Sequence, residues 1–178
     1  MPIEPGDTHC RAGHPQPKPA MEVVKMSFVE VNKHIKAYDT LAQEHPESQI
    51  ANDQLGMCYI KLGQYDKALP FLEKATVDNW EDGDSWFMTA VCLLRGKKPF
   101  VATRADINKA VDCLKTANKI EPTAFNYLLL GYIKTDYFDR KYLNVSPSSE
   151  DEYAKAESLG ATQEDFDQLM NLLFPSEE

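Results

Sequence analysis

The sequence contains no apolar run long enough to cross a membrane. A membrane-spanning helix requires about 20 predominantly apolar residues, and the longest apolar stretch here lies around Leu128–Ile133. The first residues are rich in proline and polar side chains, where a secretory signal peptide would carry an apolar segment. We therefore expect a cytoplasmic protein that does not enter a membrane.

Positive charge is also scarce. The chain has 19 Lys and Arg residues against 28 Asp and Glu residues, which gives a formal net charge of -9. A surface this acidic repels the phosphate backbone of nucleic acids and the anionic surface of membranes, so neither is an expected partner. Because 43% of the 178 residues are hydrophobic, the chain can form a packed core.

The sequence lacks the common catalytic and nucleotide-binding motifs. It has no phosphate-binding loop, no G-x-S-x-G, no H-E-x-x-H and no regular dinucleotide fingerprint. His9, Cys10 and His14 can ligate a metal, but no second ligand pair at zinc-finger spacing follows them. We therefore predict a protein that is not an enzyme and that needs no cofactor and no metal ion.

Cysteines are few, and their placement argues against a disulfide framework. Three of the four cysteines, Cys58, Cys92 and Cys113, lie inside apolar helical patterns. A free cysteine in such a pattern behaves as a small buried hydrophobe. We predict that these three thiols are inert and belong to the core.

A spacing of 34 residues recurs along the chain. It separates Pro46 from Trp80, Tyr38 from Leu72, Leu41 from Ala75, and Leu55 from Thr89. This is the period of the tetratricopeptide repeat, a helix–turn–helix unit that stacks into a solenoid. Solenoids of this kind present a grooved surface that holds another protein.

One unit carries the repeat pattern most clearly. It reads Leu55-Gly56-x2-Tyr59, then Leu62-Gly63-x-Tyr65, then Ala68-x3-Leu72-x2-Ala75, and it resembles the tetratricopeptide consensus. Small side chains at Gly56 and Ala68 let the two helices cross closely, while Gly63 permits the left-handed turn between them. The resemblance is specific over residues 47–135 and weak beyond residue 136.

The next unit contains an insertion. Trp86-x2-Thr89-Ala90-x2-Leu93 matches the first helix, and Ala110-x3-Leu114-x2-Ala117 matches the second. Ala68 and Ala110 are 42 residues apart, eight more than the period, so the extra residues fall near Arg95–Asp106. Thr103 and Asp106 predict a capped helix start after this loop. A third first-helix follows at Tyr127-x2-Leu130-Gly131.

These patterns predict an all-α fold: a short right-handed α-solenoid of about 2.5 tetratricopeptide repeats with flanking capping helices. We expect a disordered or extended proline-rich arm at residues 1–20, the repeat domain at 21–145, and a C-terminal helical hairpin or cap at 146–178. The apolar periodicity predicts one long helix over Met21–His45. It also predicts short helices over Glu150–Leu159 and Gln163–Phe174.

The resemblance implies a concave groove lined by the first helix of each repeat. The corresponding residues, mostly apolar, are Ile50, Asp53, Met57, Ile60, Phe87, Val91, Leu94, Leu128 and Tyr132. An exposed apolar groove is costly unless something fills it. Two fillers stay open: a partner's helix or extended peptide, or this chain's own N-terminal arm, N-terminal helix or tail helix.

One subgroup of the family grips the C-terminal carboxylate of heat-shock chaperones with lysine, asparagine and arginine side chains. Here the matching positions on the first helix carry Asp53 and Met57. An acid and a thioether cannot hold a carboxylate, so we predict that this clamp is absent.

The insertion reverses the local sign of charge. Its cations and its aromatic residue form a candidate basic loop made of Arg95, Lys97, Lys98, Phe100 and Arg104. One interpretation is a solvated loop. The other is a contact for an acidic partner or for the Glu177–Glu178 tail, with Phe100 as an exposed aromatic anchor.

The predicted function is a non-catalytic adaptor that binds a helix or peptide of another protein in the apolar groove. One alternative is a chaperone or co-chaperone for a specific client protein. Another is a structural subunit that associates with itself. The sequence does not set the oligomeric state.

Overall fold

The computed structural model describes residues 16–78 and 80–175, and over these ranges the chain forms helices and no strands. The α-helices are α1 Ala20–Lys25, α2 Phe28–Glu44, α3 Gln49–Lys61, α4 Tyr65–Asp78, α5 Gly83–Leu94, α6 Arg104–Ile120, α7 Ala124–Ile133, α8 Ser149–Ser158 and α9 Gln163–Leu173. The predicted all-α fold class is confirmed. Most of the predicted N-terminal arm and the Glu177–Glu178 tail lie outside the described residues. Among the helices of the described residues, none is long and apolar enough to span a membrane.

The chain divides into two compact units, Met1–Trp80 and Glu81–Glu178. Helices α1 to α4 belong to the first unit, and α5 to α9 belong to the second. The three-part division proposed above, at residues 20 and 145, stays a prediction.

The prediction of a single helix over Met21–His45 is wrong, because the helix is interrupted at Met26 and Ser27. Met26 has an extended backbone with ψ near 145°. Ser27 then opens α2 with a capping box: its hydroxyl accepts the Glu30 N–H, and the Glu30 carboxylate accepts the Ser27 N–H at 2.8 Å. This reciprocal cap satisfies two free donors and lets a new helix begin.

The first unit is built on the α3–α4 hairpin, which α2 and α1 join on the α3 side. Gly56 makes the close crossing possible: a Cβ atom placed there would lie 2.5 Å from Cγ of the fully buried Leu72. Gly63 has φ of +68° in the turn between the two helices, as the left-handed turn predicted above requires.

The second unit contains two hairpins, α5–α6 and α7–α8. Gly131 repeats the role of Gly56, because a Cβ there would lie 2.6 Å from Cε1 of Tyr153 on α8. The third hairpin is therefore complete. Its second helix, α8, does not begin until Ser149. Before it, α7 continues through a π-helical turn at Lys134–Phe138 and a 3₁₀ turn at Asp139–Lys141.

A buried ion pair fastens α8 to the end of α7. The Lys134 ammonium donates to the Glu152 carboxylate, and both side chains are less than a tenth exposed. The same ammonium donates to the carbonyl oxygen of Pro147 at 2.6 Å. A buried charge left without its partner is strongly destabilising, so α7 and α8 depend on each other electrostatically as well as sterically.

We expect Gly56→Ala to lower the free energy of unfolding by about 1–3 kcal/mol, because the new methyl group overpacks against Leu72. Urea denaturation followed by circular dichroism measures the change. The control is the same substitution in a Leu72→Ala background, where the space is open. There the substitution should be neutral or stabilising, since alanine favours helix more than glycine. Equal losses in both backgrounds would contradict the steric explanation.

Candidate functional site

The candidate groove of the first unit lies on α3, and most of it is covered. Met57 and Ile60 are each 1% exposed and Asp53 is 7% exposed, whereas Ile50 is 50% exposed. Of the four predicted groove residues on α3, Ile50 alone offers a large surface to solvent. The others are enclosed by the protein itself.

A segment from the N-terminal side of the chain packs on α3. It comprises residues 16–25: an extended stretch that ends at Pro19, followed by α1. Ala20 and Val23, three residues apart on α1, are 3% and 0% exposed. The described end of the predicted N-terminal arm and the short helix that follows it therefore pack on α3.

The side chain of Gln54 on α3 holds this segment by its main chain. The Lys18 N–H donates to Oε1 of Gln54 at 2.9 Å, and Nε2 of Gln54 donates to the Lys18 carbonyl oxygen at 2.8 Å. Gln54 is 2% exposed. A buried amide that satisfies both polar groups of one residue recognises an extended backbone whatever side chain that residue carries.

His34 on α2 completes this arrangement. Its Nε2 atom lies 2.9 Å from Oε1 of Gln54, and its ring meets the Tyr38 ring edge-on at a centroid distance of 4.7 Å. Because the contact with Lys18 orients the Gln54 amide, the imidazole must donate to the amide oxygen. Burial is the main cause that lowers the pKa of His34. The Gln54 hydrogen bond raises this pKa, and the nearby Lys18 charge lowers it. A neutral imidazole that carries its proton on Nε2 is therefore favoured.

Sequence reasoning did not identify Gln54 or His34 as site residues. Gln54 stands beside Asp53 in an otherwise largely apolar helix, and nothing in the sequence marks one polar residue as more buried than the other. The usable signal was the proline-rich segment itself, because an extended chain has main-chain donors and acceptors that need partners.

The candidate groove residues of the second unit are also largely buried. Phe87, Val91, Leu94 and Leu128 are 4%, 1%, 1% and 6% exposed. Tyr132 is half-buried. The role of all five in binding a partner stays a prediction.

Helix α9 packs on α7 near Tyr132. The Tyr132 ring meets Phe166 and Phe174 edge-on, with centroids 6.5 Å and 6.3 Å away. Burial is the main cause that raises the pKa of Tyr132 to about 12, and the charge of Asp136 adds to it. The phenol therefore stays neutral at physiological pH, and the tail side of the chain shields part of its ring.

The basic loop lies between α5 and α6, where the insertion was predicted. The cations Arg95, Lys97, Lys98 and Arg104 are exposed. Thr103 caps α6 as expected, since its hydroxyl accepts the Asp106 N–H at 3.1 Å. The eight extra residues therefore enter as a loop and leave the α5–α6 hairpin intact.

Phe100 is half-buried, in contrast to the exposed anchor that the sequence suggested. The Arg140 guanidinium lies 4.0 Å from the centre of its ring, and the Lys141 ammonium lies 5.0 Å away. The main-chain N–H of Phe100 donates to the Asp136 carboxylate at 2.8 Å, and Arg140 donates to the same carboxylate at 2.6 Å. Phe100 thus attaches the loop to the segment that follows α7.

Three cysteine thiols lie within the described residues. Cys58, Cys92 and Cys113 are free and buried, as predicted. Burial, followed by the charge of Asp53, raises the pKa of Cys58 to about 12, so its thiol is protonated and unreactive at neutral pH. Within the described residues, no three His, Cys, Asp or Glu side chains cluster closely enough to hold a metal ion. The His9, Cys10 and His14 group lies outside them.

We expect Asp136→Ala to release the basic loop, because it removes the acceptor for the Phe100 N–H and the partner of Arg140. The free energy of unfolding should fall by about 1–3 kcal/mol, and amide hydrogen exchange should accelerate over residues 97–103. Exchange followed by mass spectrometry measures this effect. Asp112→Ala, at an exposed acid on α6, is the matched control. Unchanged exchange in the Asp136 variant would show that the loop is held in another way.

Comparison with known proteins supports the repeat interpretation. A family model described as "Tetratricopeptide repeat" matches residues 51–76, which span most of the α3–α4 hairpin. The solved structure "MamA MSR-1 C2" is similar with a TM-score of 0.55 and 19% sequence identity, over 79% of this chain and 72% of that chain. "MamA RS-1 ArsTM double mutant" is similar with a TM-score of 0.53 and 17% identity, over 86% and 74%. No curated protein matches the sequence. The predicted resemblance to the tetratricopeptide repeat family and the predicted repeat fold are confirmed.

Proposed function

We propose that this chain, which folds as tetratricopeptide-like helical hairpins, is a non-catalytic adaptor that binds a helical or extended segment of a partner protein. The observation that carries the proposal is the occupied face of α3. There a buried amide, Gln54, already holds an extended segment by its main chain, and two apolar side chains of that segment are buried next to it. A surface with these properties is equipped to bind a peptide.

Several features favour a binding role over catalysis. The buried thiol of Cys58 is held in its protonated form. Asp53 and Met57 stand where a carboxylate clamp would need basic or amide side chains, so the partner segment is an internal stretch of chain and not a free C-terminus. The exposed cations of the basic loop offer a separate contact for an acidic protein segment.

Photo-crosslinking tests this proposal. A photoreactive phenylalanine analogue at position 50, on the half-exposed end of the α3 face, should trap the partner in the native host. The same analogue at position 77 is the matched control, because Val77 on α4 is 79% exposed and is not among the groove residues. Ile50→Asp should weaken capture of the same partner about tenfold or more, since it places a charge in an apolar contact. Equal crosslinking at both positions would contradict binding on α3.

The identity of the trapped species separates the alternatives. A conjugate with twice the mass of this chain would indicate a self-associating subunit. A client whose aggregation is suppressed in stoichiometric amounts by the wild-type chain, and not by Ile50→Asp, would indicate a chaperone. A different folded protein with no such protection would indicate an adaptor.

A further inference from the structure

The segment on α3 has the features of a bound peptide ligand. Residues 16–19 lie outside any helix, and Pro19 has φ of -56° and ψ of 151°, the polyproline II conformation. A residue that precedes proline, as Lys18 does, favours an extended backbone. One short helix of six residues, α1, follows. The segment therefore combines a stretch recognised through its main chain with a turn recognised through its side chains.

Two contacts define what the α3 face selects. The Gln54 amide pairs with both main-chain groups of Lys18, which stands between Pro17 and Pro19 in the sequence. Ala20 and Val23 enter the apolar surface and are almost fully buried. The ion pair between Lys18 and Glu22, at 3.8 Å, is exposed on both sides and adds little.

The segment is joined to the rest of the unit in a way that allows it to leave. Only Met26 and Ser27 connect α1 to α2, and the cap of α2 is formed by Ser27 and Glu30 without any residue of α1. A helix of six residues is not stable alone in water, so α1 exists because α3 supports it. Detachment would unfold α1 and leave α2 capped.

We propose that residues 16–25 are a displaceable intramolecular ligand of the α3 face. A partner segment of the same chemistry replaces them: an extended, proline-containing stretch followed by one helical turn with two small apolar residues three apart. This inference rests on the proposed adaptor function, to which it adds the class of partner and a form of self-inhibition. When the partner binds, its main chain takes the two hydrogen bonds of Gln54, and its apolar side chains take the places of Ala20 and Val23.

Self-occupancy weakens the apparent affinity for the partner. The apparent dissociation constant equals the intrinsic one divided by the fraction of molecules whose face is free. A segment that is docked in about nine molecules of ten reduces the apparent affinity about tenfold. Releasing the segment should restore that factor without any change to α3.

The test uses the full chain and a fluorescein-labelled peptide with the sequence of residues 16–26 as the probe. Val23→Asp in the chain should expel its own segment, because a carboxylate cannot occupy the apolar site that Val23 fills. This variant should bind the probe about tenfold or more tightly than the wild type in fluorescence anisotropy. Val29→Asp is the matched control, since Val29 is 65% exposed on α2, and it should bind the probe as the wild type does.

Two further variants show where the probe binds. Adding Gln54→Ala to the Val23→Asp chain should abolish the gain, because the main-chain hydrogen bonds are lost. A probe that carries aspartate in place of the valine equivalent to Val23 should not bind any of the chains. If a folded Val23→Asp chain binds the original probe no better than the wild type, the proposal is overturned.

Hydrogen exchange in the unaltered chain covers the case in which Val23→Asp does not fold. The amides of Lys18, Glu22 and Val23 are hydrogen-bonded in the docked segment, and excess probe should accelerate their exchange. No acceleration at a saturating probe concentration would overturn the proposal. Because this assay needs no cellular partner, probe binding without any crosslinked partner at position 50 would refute the adaptor function and leave the displaceable segment standing.

Discussion

The close approach of paired helices is the constraint on which the hairpins depend. At Gly56 the backbone of α3 comes so near to α4 that Leu72 occupies the place of a side chain, and at Gly131 the ring of Tyr153 does the same between α7 and α8. Contacts this short let the hairpin bury its inner face completely, as the full burial of Leu55 and Ala68 shows. Other helices pack on the first helix of two hairpins: α1 and α2 on α3, and α9 on α7. On α3 this packing includes the N-terminal segment.

The sequence predicts the elements that local chemistry determines. Thr103 precedes α6 and caps it, as its spacing to Asp106, three residues later, indicated. The wrong prediction of one helix across Ser27 concerns the same kind of cap, because Ser27 and Glu30 form an equally regular capping box. The apolar period runs on across Met26, and taken alone it predicts one continuous helix. The local hydrogen bonds determine where α2 begins. The side chains of Ser27 and Glu30 accept each other's main-chain N–H groups, which otherwise would need acceptors in a preceding turn of helix.

The candidate site is harder to predict because it depends on contacts between distant segments. Lys18 and Gln54 are 36 positions apart, and neither residue has an unusual local setting. The repeat pattern predicts α3 as a first helix, and the resemblance implies that one of its faces lines a groove. Neither shows whether that face is exposed. Ile50 and Met57 illustrate the limit: both were assigned to the same groove, but one is half-exposed and the other is enclosed. Burial is a property of the assembled unit.

The buried pair of Lys134 and Glu152 bears on how the chain can be divided into fragments. A cut before α8, at the predicted boundary between residues 145 and 146, would remove both Glu152 and the Tyr153 ring that covers Gly131. The remaining piece would carry an ammonium group without its counter-ion and an open gap along α7. The fragment would lose stability because the surface of α7 against which Tyr153 packs would be open to water. The smallest fragment of the second unit that keeps its last hairpin intact must therefore extend through α8, although the repeat pattern in the sequence fades well before it.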